Sequence, residues 1–183
     1  MDNAGSSADQ PTSFKSAAEL FVALLALAAC SPAPPPMQKL RIDLWTFSLP
    51  ADWSQEPEGR ALLPPDGSKA CYAKTLELTG EEEMSEAEFA ALVQESFRKA
   101  LARESDAEWR IMTEKSWTGG EAFHSLLGSW DQEGSFCMMS KVLVHQEQAV
   151  QLTLHDYSCP DYPAAARFFA PIFESLKADS DKF

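Results

Sequence analysis

Between residues 109 and 157 the chain offers four strand-length segments, 109–117, 121–131, 135–144 and 149–157, separated by links too short for a crossover. Parallel neighbours need a dozen or more residues between them, so segments this close must pair antiparallel, as a meander. Thr118-Gly119-Gly120 and Gln132-Glu133-Gly134 supply two glycine-bearing turns for it. In the last segment Val150, Leu152 and Leu154 alternate with Gln151, Thr153 and His155. That is the pattern of a sheet with one side on a core. Whatever else the chain contains must cover that sheet.

The flanking segments supply the cover. Residues 40–49 read as one strand whose apolar phase switches near Leu44, which predicts a bulge there; Pro50-Ala51-Asp52 ends it and leaves Trp53 to pack back. Residues 60–63 and 70–78 flank Pro64-Pro65-Asp66-Gly67, the chemistry of a hairpin turn. Ser85 with Glu88 forms a capping box and Met84 with Phe89 a hydrophobic staple, so a helix starts there. Its predicted apolar stripe is Phe89, Leu92, Val93, Phe97, Ala100 and Leu101. Glu81, Glu82, Glu83, Glu86 and Glu88 read as a solvated acidic face favoured by the helix dipole rather than as a cation site. A second helix is predicted over 161–177, with Ala165, Phe168, Phe169, Ile172, Phe173 and Leu176 inward and Pro171 kinking or dividing it. The expectation is an α+β domain, an antiparallel meander with two main helices packed against it, spanning residues 40–177 and followed by a polar tail, 178–183.

The first 39 residues read as an address. Residues 20–27 form an apolar run of signal-peptide length, too short to span a membrane. It leads into Leu27-Ala28-Ala29-Cys30, which resembles a bacterial lipobox whose cysteine becomes the lipidated first residue. Ser31-Pro32-Ala33-Pro34-Pro35-Pro36 then makes a semi-rigid tether. Residues 1–29 are thus expected to be a lipoprotein signal, and 30–39 the lipidated Cys30 and tether. The alternative is an ordinary helix, favoured by Asp2 and Asp9 where a signal wants cations and by Glu19 at the edge of the run. A core helix gives no reason for Cys30 and the prolines to follow. Without the leader, about 150 residues remain, a comfortable single domain. The whole chain carries a formal net charge of −13, which disfavours nucleic acid and anionic lipid head groups and favours a basic protein partner.

With Cys30 assigned to lipid, Cys71, Cys137 and Cys159 remain; outside the cytoplasm they allow one disulfide and leave one thiol. If residues 135–144 and 149–157 pair so that Val150 meets Val144, then Cys137 faces Tyr157, with Cys159 and His155 at the same sheet end. Two readings follow. One is a zinc or thiol-enzyme site built from Cys137, His155 and Cys159. The other is a Cys137–Cys159 disulfide, favoured because no C-x-x-C-type ligand spacing is present and Asp156 is expected on the opposite face. No nucleophile elbow, phosphate-binding glycine loop or zinc helix is found, and no motif implies a cofactor or metal. Trp45, Trp53, Trp109, Trp117 and Trp130 fit core packing, with a ligand groove as the alternative use.

The run Phe47-Ser48-Leu49-Pro50-Ala51-Asp52-Trp53, the long helix, the meander and the closing helix with Phe169, Phe173 and Leu176 resemble the DcrB/PsbP-like group of domains. The resemblance implies a non-enzymatic protein, as an envelope lipoprotein, a photosystem assembly subunit or a chaperone-like adaptor, and it carries no catalytic residue with it. The expected role is to bind a protein client, either an envelope complex or a secreted toxin neutralised in the manner of an immunity protein, and the acidic charge suits a basic one. Ser31 after the lipidated cysteine resembles the outer-membrane-directed pattern of such lipoproteins, placing the domain on the periplasmic side.

Overall fold

The computed structural model describes residues 35–57, 59, 61–79, 84–104 and 109–179. The expected signal, Cys30 and the start of the tether lie outside them, as do Glu81 to Glu83. Ten strands and two helices are formed among the described residues.

The chain opens with a hairpin, β1 (Met37–Ile42) and β2 (Trp45–Pro50), paired antiparallel with Ile42 opposite Trp45. The phase switch predicted as a bulge is therefore a two-residue turn. Asp43 takes a left-handed φ of 49°, a conformation its short polar side chain tolerates. Its Oδ2 accepts a 2.6 Å hydrogen bond from the Thr75 hydroxyl. After Pro50 the chain turns as expected and Trp53 is buried. The other edge of β2 pairs with β10 (Lys177–Ala178). Asp179 N–H then donates to Leu44 O at 2.7 Å, and the Asp179 carboxylate meets Arg41 at 2.6 Å. Residues 37–39, expected in the tether, and Ala178, expected in the tail, both belong to this small sheet.

The main sheet has seven strands, every pair antiparallel, in the order β3 (Ser54–Gln55), β4 (Leu62–Leu63), β5 (Lys69–Glu77), β9 (Gln148–Asp156), β8 (Phe136–His145), β7 (Ala122–Asp131), β6 (Arg110–Gly119). The predicted meander is β6 to β9, and the predicted hairpin is β4–β5, turned at Gly67 with φ 65°. Because side chains alternate along a strand, β8 sends Met138, Val142 and Val144 to one face and Cys137, Met139 and Leu143 to the other. Helix α1 (Glu86–Glu104) covers the first face. Phe89, Ala90 and Val93 pack on Val142, Val144 and Ala149, while Phe97 and Leu101 reach Leu127 and Met138. Helix α2 (Tyr162–Ser175) and the small sheet cover the second, where Trp45, Phe47 and Leu49 meet Leu143, Val150 and Leu152. A central strand buried on both faces is the result.

The Ser85–Glu88 box forms as predicted, with Glu88 Oε2 accepting from Ser85 N–H at 2.9 Å. Two stripe assignments fail. Leu92 is exposed, and Gln94 lies in the interface instead, its amide donating to the Ser125 and Ser140 carbonyls at 3.3 and 3.1 Å. Phe168, expected inward, lies on the surface, where the Lys69 ammonium sits 5.3 Å from its ring. Helix α2 runs undivided through Pro171; burial of Phe169, Ile172 and Phe173 on either side of the proline holds it together despite the missing donor.

Candidate functional site

The β8–β9 register decides the fate of the expected sulfur and imidazole site. Val144 pairs with Ala149, Cys137 with Asp156 and Met138 with His155. The connection is the two-residue turn Gln146-Glu147, with Gln146 at φ 55°. This is one residue away from the register assumed from the sequence, and a one-residue slip exchanges faces. His155 therefore lies on the opposite side of the sheet from Cys137, while Asp156 shares the Cys137 side. The Cys137, His155 and Cys159 site is not assembled.

Cys137 and Cys159 are joined by a disulfide, with Cα atoms 5.7 Å apart and both residues buried. Trp130 Nε1 donates to Cys159 O at 3.1 Å, fixing the loop that leads into α2. Asp156 is held by Lys69 at 3.3 Å and by the Ser158 N–H at 3.0 Å, so its charge is already matched. Among the described residues no three His, Cys, Asp or Glu side chains could hold a metal ion. Cys71 is a free thiol inside the core, and burial pushes its pKa up to about 12, which leaves it protonated and inert. His155 is packed against Tyr72, Phe136 and Tyr157, at ring separations of 4.8, 5.8 and 5.8 Å. Burial pushes its pKa down to about 4, so it is neutral at pH 7.

The uncovered part of the molecule is the other end of the sheet. β6 is the longer of the sheet's two edge strands, the other being the two-residue β3, and its side chains are exposed on both faces for most of its length, with Ile111, Met112 and Trp117 open to solvent. A bulge between Ile111 and Thr113 interrupts its pairing with β7. Trp117 stacks on His124, centroids 4.9 Å apart and planes 12° from parallel. Its Nε2–H donates to the Gly119 carbonyl at 3.0 Å, and burial lowers the His124 pKa against the opposing pull of that hydrogen bond.

Beside this pair lies a cavity of about 260 Å³ between the sheet and α2, walled by Leu126, Met139, Ala166, Ala170 and Phe173. Lys115 and Lys141 enter it, their ammonium groups 5.5 and 5.7 Å from the Trp117 ring centre. Lys141 is only 5% exposed. It donates a 2.6 Å hydrogen bond to Phe173 O in the last turn of α2, where a cation is favoured by the helix dipole. Burial pulls its pKa down to about 8; Glu174 at the rim opposes that shift and Lys115 adds to it. The sequence reading did not single out Lys141. Its signal was a cation at an inward position of an otherwise apolar strand, which is tolerated only with a dedicated partner.

No protein-family model and no curated protein matches the chain. Among solved structures it is similar to the solution structure of cyanobacterial PsbP (CyanoP) from Synechocystis sp. PCC 6803, with a TM-score of 0.59 at 12% identity, over 81% of this chain and 96% of that one. It also aligns with LpqN, involved in cell envelope biogenesis of Mycobacterium tuberculosis, with a TM-score of 0.46 at 14% identity, over 81% and 86% of the two chains. The fold is thus PsbP-like.

Proposed function

We propose that this chain is a non-enzymatic envelope lipoprotein that carries its PsbP-like domain on a lipid attached to Cys30 and binds a protein client along β6. The observation behind the client site is the state of that strand. It is a ten-residue edge with exposed Ile111 and Met112, whereas β8 and β9 are covered. A long open edge offers unpaired backbone groups to an incoming strand. The lipid reading rests on Leu27-Ala28-Ala29-Cys30 and the prolines after it. It agrees with the described residues, in which no helix is long and apolar enough to cross a membrane. An extracytoplasmic location also suits a Cys137–Cys159 disulfide. The net charge of −13 draws a basic client from a distance, and pairing at β6 sets its position.

Affinity capture from detergent-solubilised envelope tests this reading, comparing the intact lipoprotein with an Ile111→Glu/Met112→Glu variant in low and high salt. A partner held by the wild type, weakened by salt and lost from the variant is the expected result. A partner set that the variant leaves unchanged removes β6 from the proposal, and the absence of any salt-sensitive partner removes the client.

A further inference from the structure

We infer that the cavity between α2 and strands β6 to β8 binds a small monocarboxylic acid with an apolar body, its carboxylate held between Lys115 and Lys141. The register puts the two lysines in one row across the sheet. Lys115 pairs with Leu126, and Leu126 pairs with Lys141, so all three side chains project from the same face. Both ammoniums then approach a single indole, that of Trp117. The two cations repel one another, Lys115 helping to hold the Lys141 pKa down, and Lys141 is shut away from water. Its ammonium has three hydrogens to donate, and Phe173 O takes one at 2.6 Å. An anion between the two lysines would relieve the repulsion and use the remaining donors.

The fixed charges set the valence of the ligand. Lys115 and Lys141 stand against the single carboxylate of Glu174 at the rim, leaving one net positive charge. A monoanion cancels it; a dianion overshoots. The walls set the rest of the ligand. Ala166 and Ala170 lie one turn apart on α2, and their small side chains open the space over Leu126 and Met139. A cavity of about 260 Å³ is at the lower limit of small-molecule sites, which suits an aryl or short alkyl acid. The cavity shares β6 with the client edge proposed above, through Lys115 and Trp117, but ligand binding in it does not require a client on that edge.

Calorimetric titration of the purified chain with phenylacetate and octanoate, and with phenylacetamide as the uncharged counterpart, tests the inference. At least one acid should bind saturably at one site, and phenylacetamide about tenfold or more weakly than phenylacetate or not at all. Lys115→Met, at an exposed position, should weaken the acid by about tenfold. Ala170→Leu should fill the cavity and abolish binding while circular dichroism and the thermal midpoint show the fold intact. Lack of saturable binding by both acids, equal binding of the amide, or acid binding unchanged in both variants would overturn the proposal. So would a peptide with a free C-terminal phenylalanine that binds where neither acid does, since the pocket would then read chain ends.

Discussion

At the scale of single residues, Gly128 shows how a position with no side chain can hold an element in place. A Cβ built there would lie 1.9 Å from the Tyr162 hydroxyl oxygen, which itself donates to Thr113 Oγ1 at 2.9 Å. Tyr162 begins α2, so the close approach of ring and strand fixes where that helix lands. Gly128→Ala must push the ring away, and overpacking of this kind destabilises by about 1–3 kcal/mol; a urea midpoint lowered without a change in slope is the expected reading. His155 makes a second prediction, with a definite sign. Its folded pKa, about 4, lies below the ordinary imidazole value of 6.5, so the unfolded chain takes up the proton first. Stability should therefore fall as pH drops from about 6.5 to 4 and level off below, by an amount on the order of 3 kcal/mol for this group. His155→Leu should flatten that part of the profile, read as unfolding midpoints at pH 7 and pH 4.5; an equally acid-sensitive variant would place the effect elsewhere. Neither residue's role was legible in the sequence, because both depend on which strand lies opposite.

At the scale of elements, what the sequence conveys is periodicity and turn chemistry, and what it withholds is register. The meander β6 to β9, the capped start of α1 and the amphipathic closing helix were all legible, since each is encoded within a window of a few residues. The β1–β2 turn was not, because two residues at Asp43 and Leu44 reverse the chain without glycine or proline. The β8–β9 register failed for the same reason. The Gln146-Glu147 turn carries no turn signature, and the one-residue error carried His155 to the wrong face of the imagined site. The Cys137–Cys159 pair survives that error because Cys159 lies beyond the strand, where the chain can bend back to reach Cys137. The bond spans 22 residues and ties the start of β8 to the loop before α2. Replacing both cysteines by alanine should lower stability by about 2–4 kcal/mol. Because α2 is then freed at its N-terminal end, hydrogen exchange should quicken there before it does in β8. Uniform exchange across the domain would show that the bond does not hold that helix end. Capping is the smaller effect: Ser85→Ala should lower stability by about 1 kcal/mol, measured by the same unfolding curves.

At the scale of the whole molecule, the proposed location and the fold rest on different parts of the chain, and each can be tested without the other. The α+β architecture resides in residues 36–179, while the envelope reading depends on residues 1–34, which lie outside the described structure. With a net charge of −13 over the whole chain, the protein gains nothing from an anionic membrane surface, so adhesion by charge alone is disfavoured. On the lipoprotein reading the anchor is apolar, whereas attachment through a charged client would be lost in salt. Lipid chains provide about 0.8 kcal/mol per buried CH₂, and two or more chains hold a protein stably where one does not. Membrane association should therefore survive a high-salt wash and be abolished by Cys30→Ala, which leaves the folded domain untouched. Intact mass of the detergent-extracted protein should show a chain that starts at acylated Cys30 and gains two hydrogens on reduction. An unprocessed chain beginning at Met1, with its cysteines reduced, would return residues 1–29 to the mature protein and move the search for the β6 client to the cytoplasm.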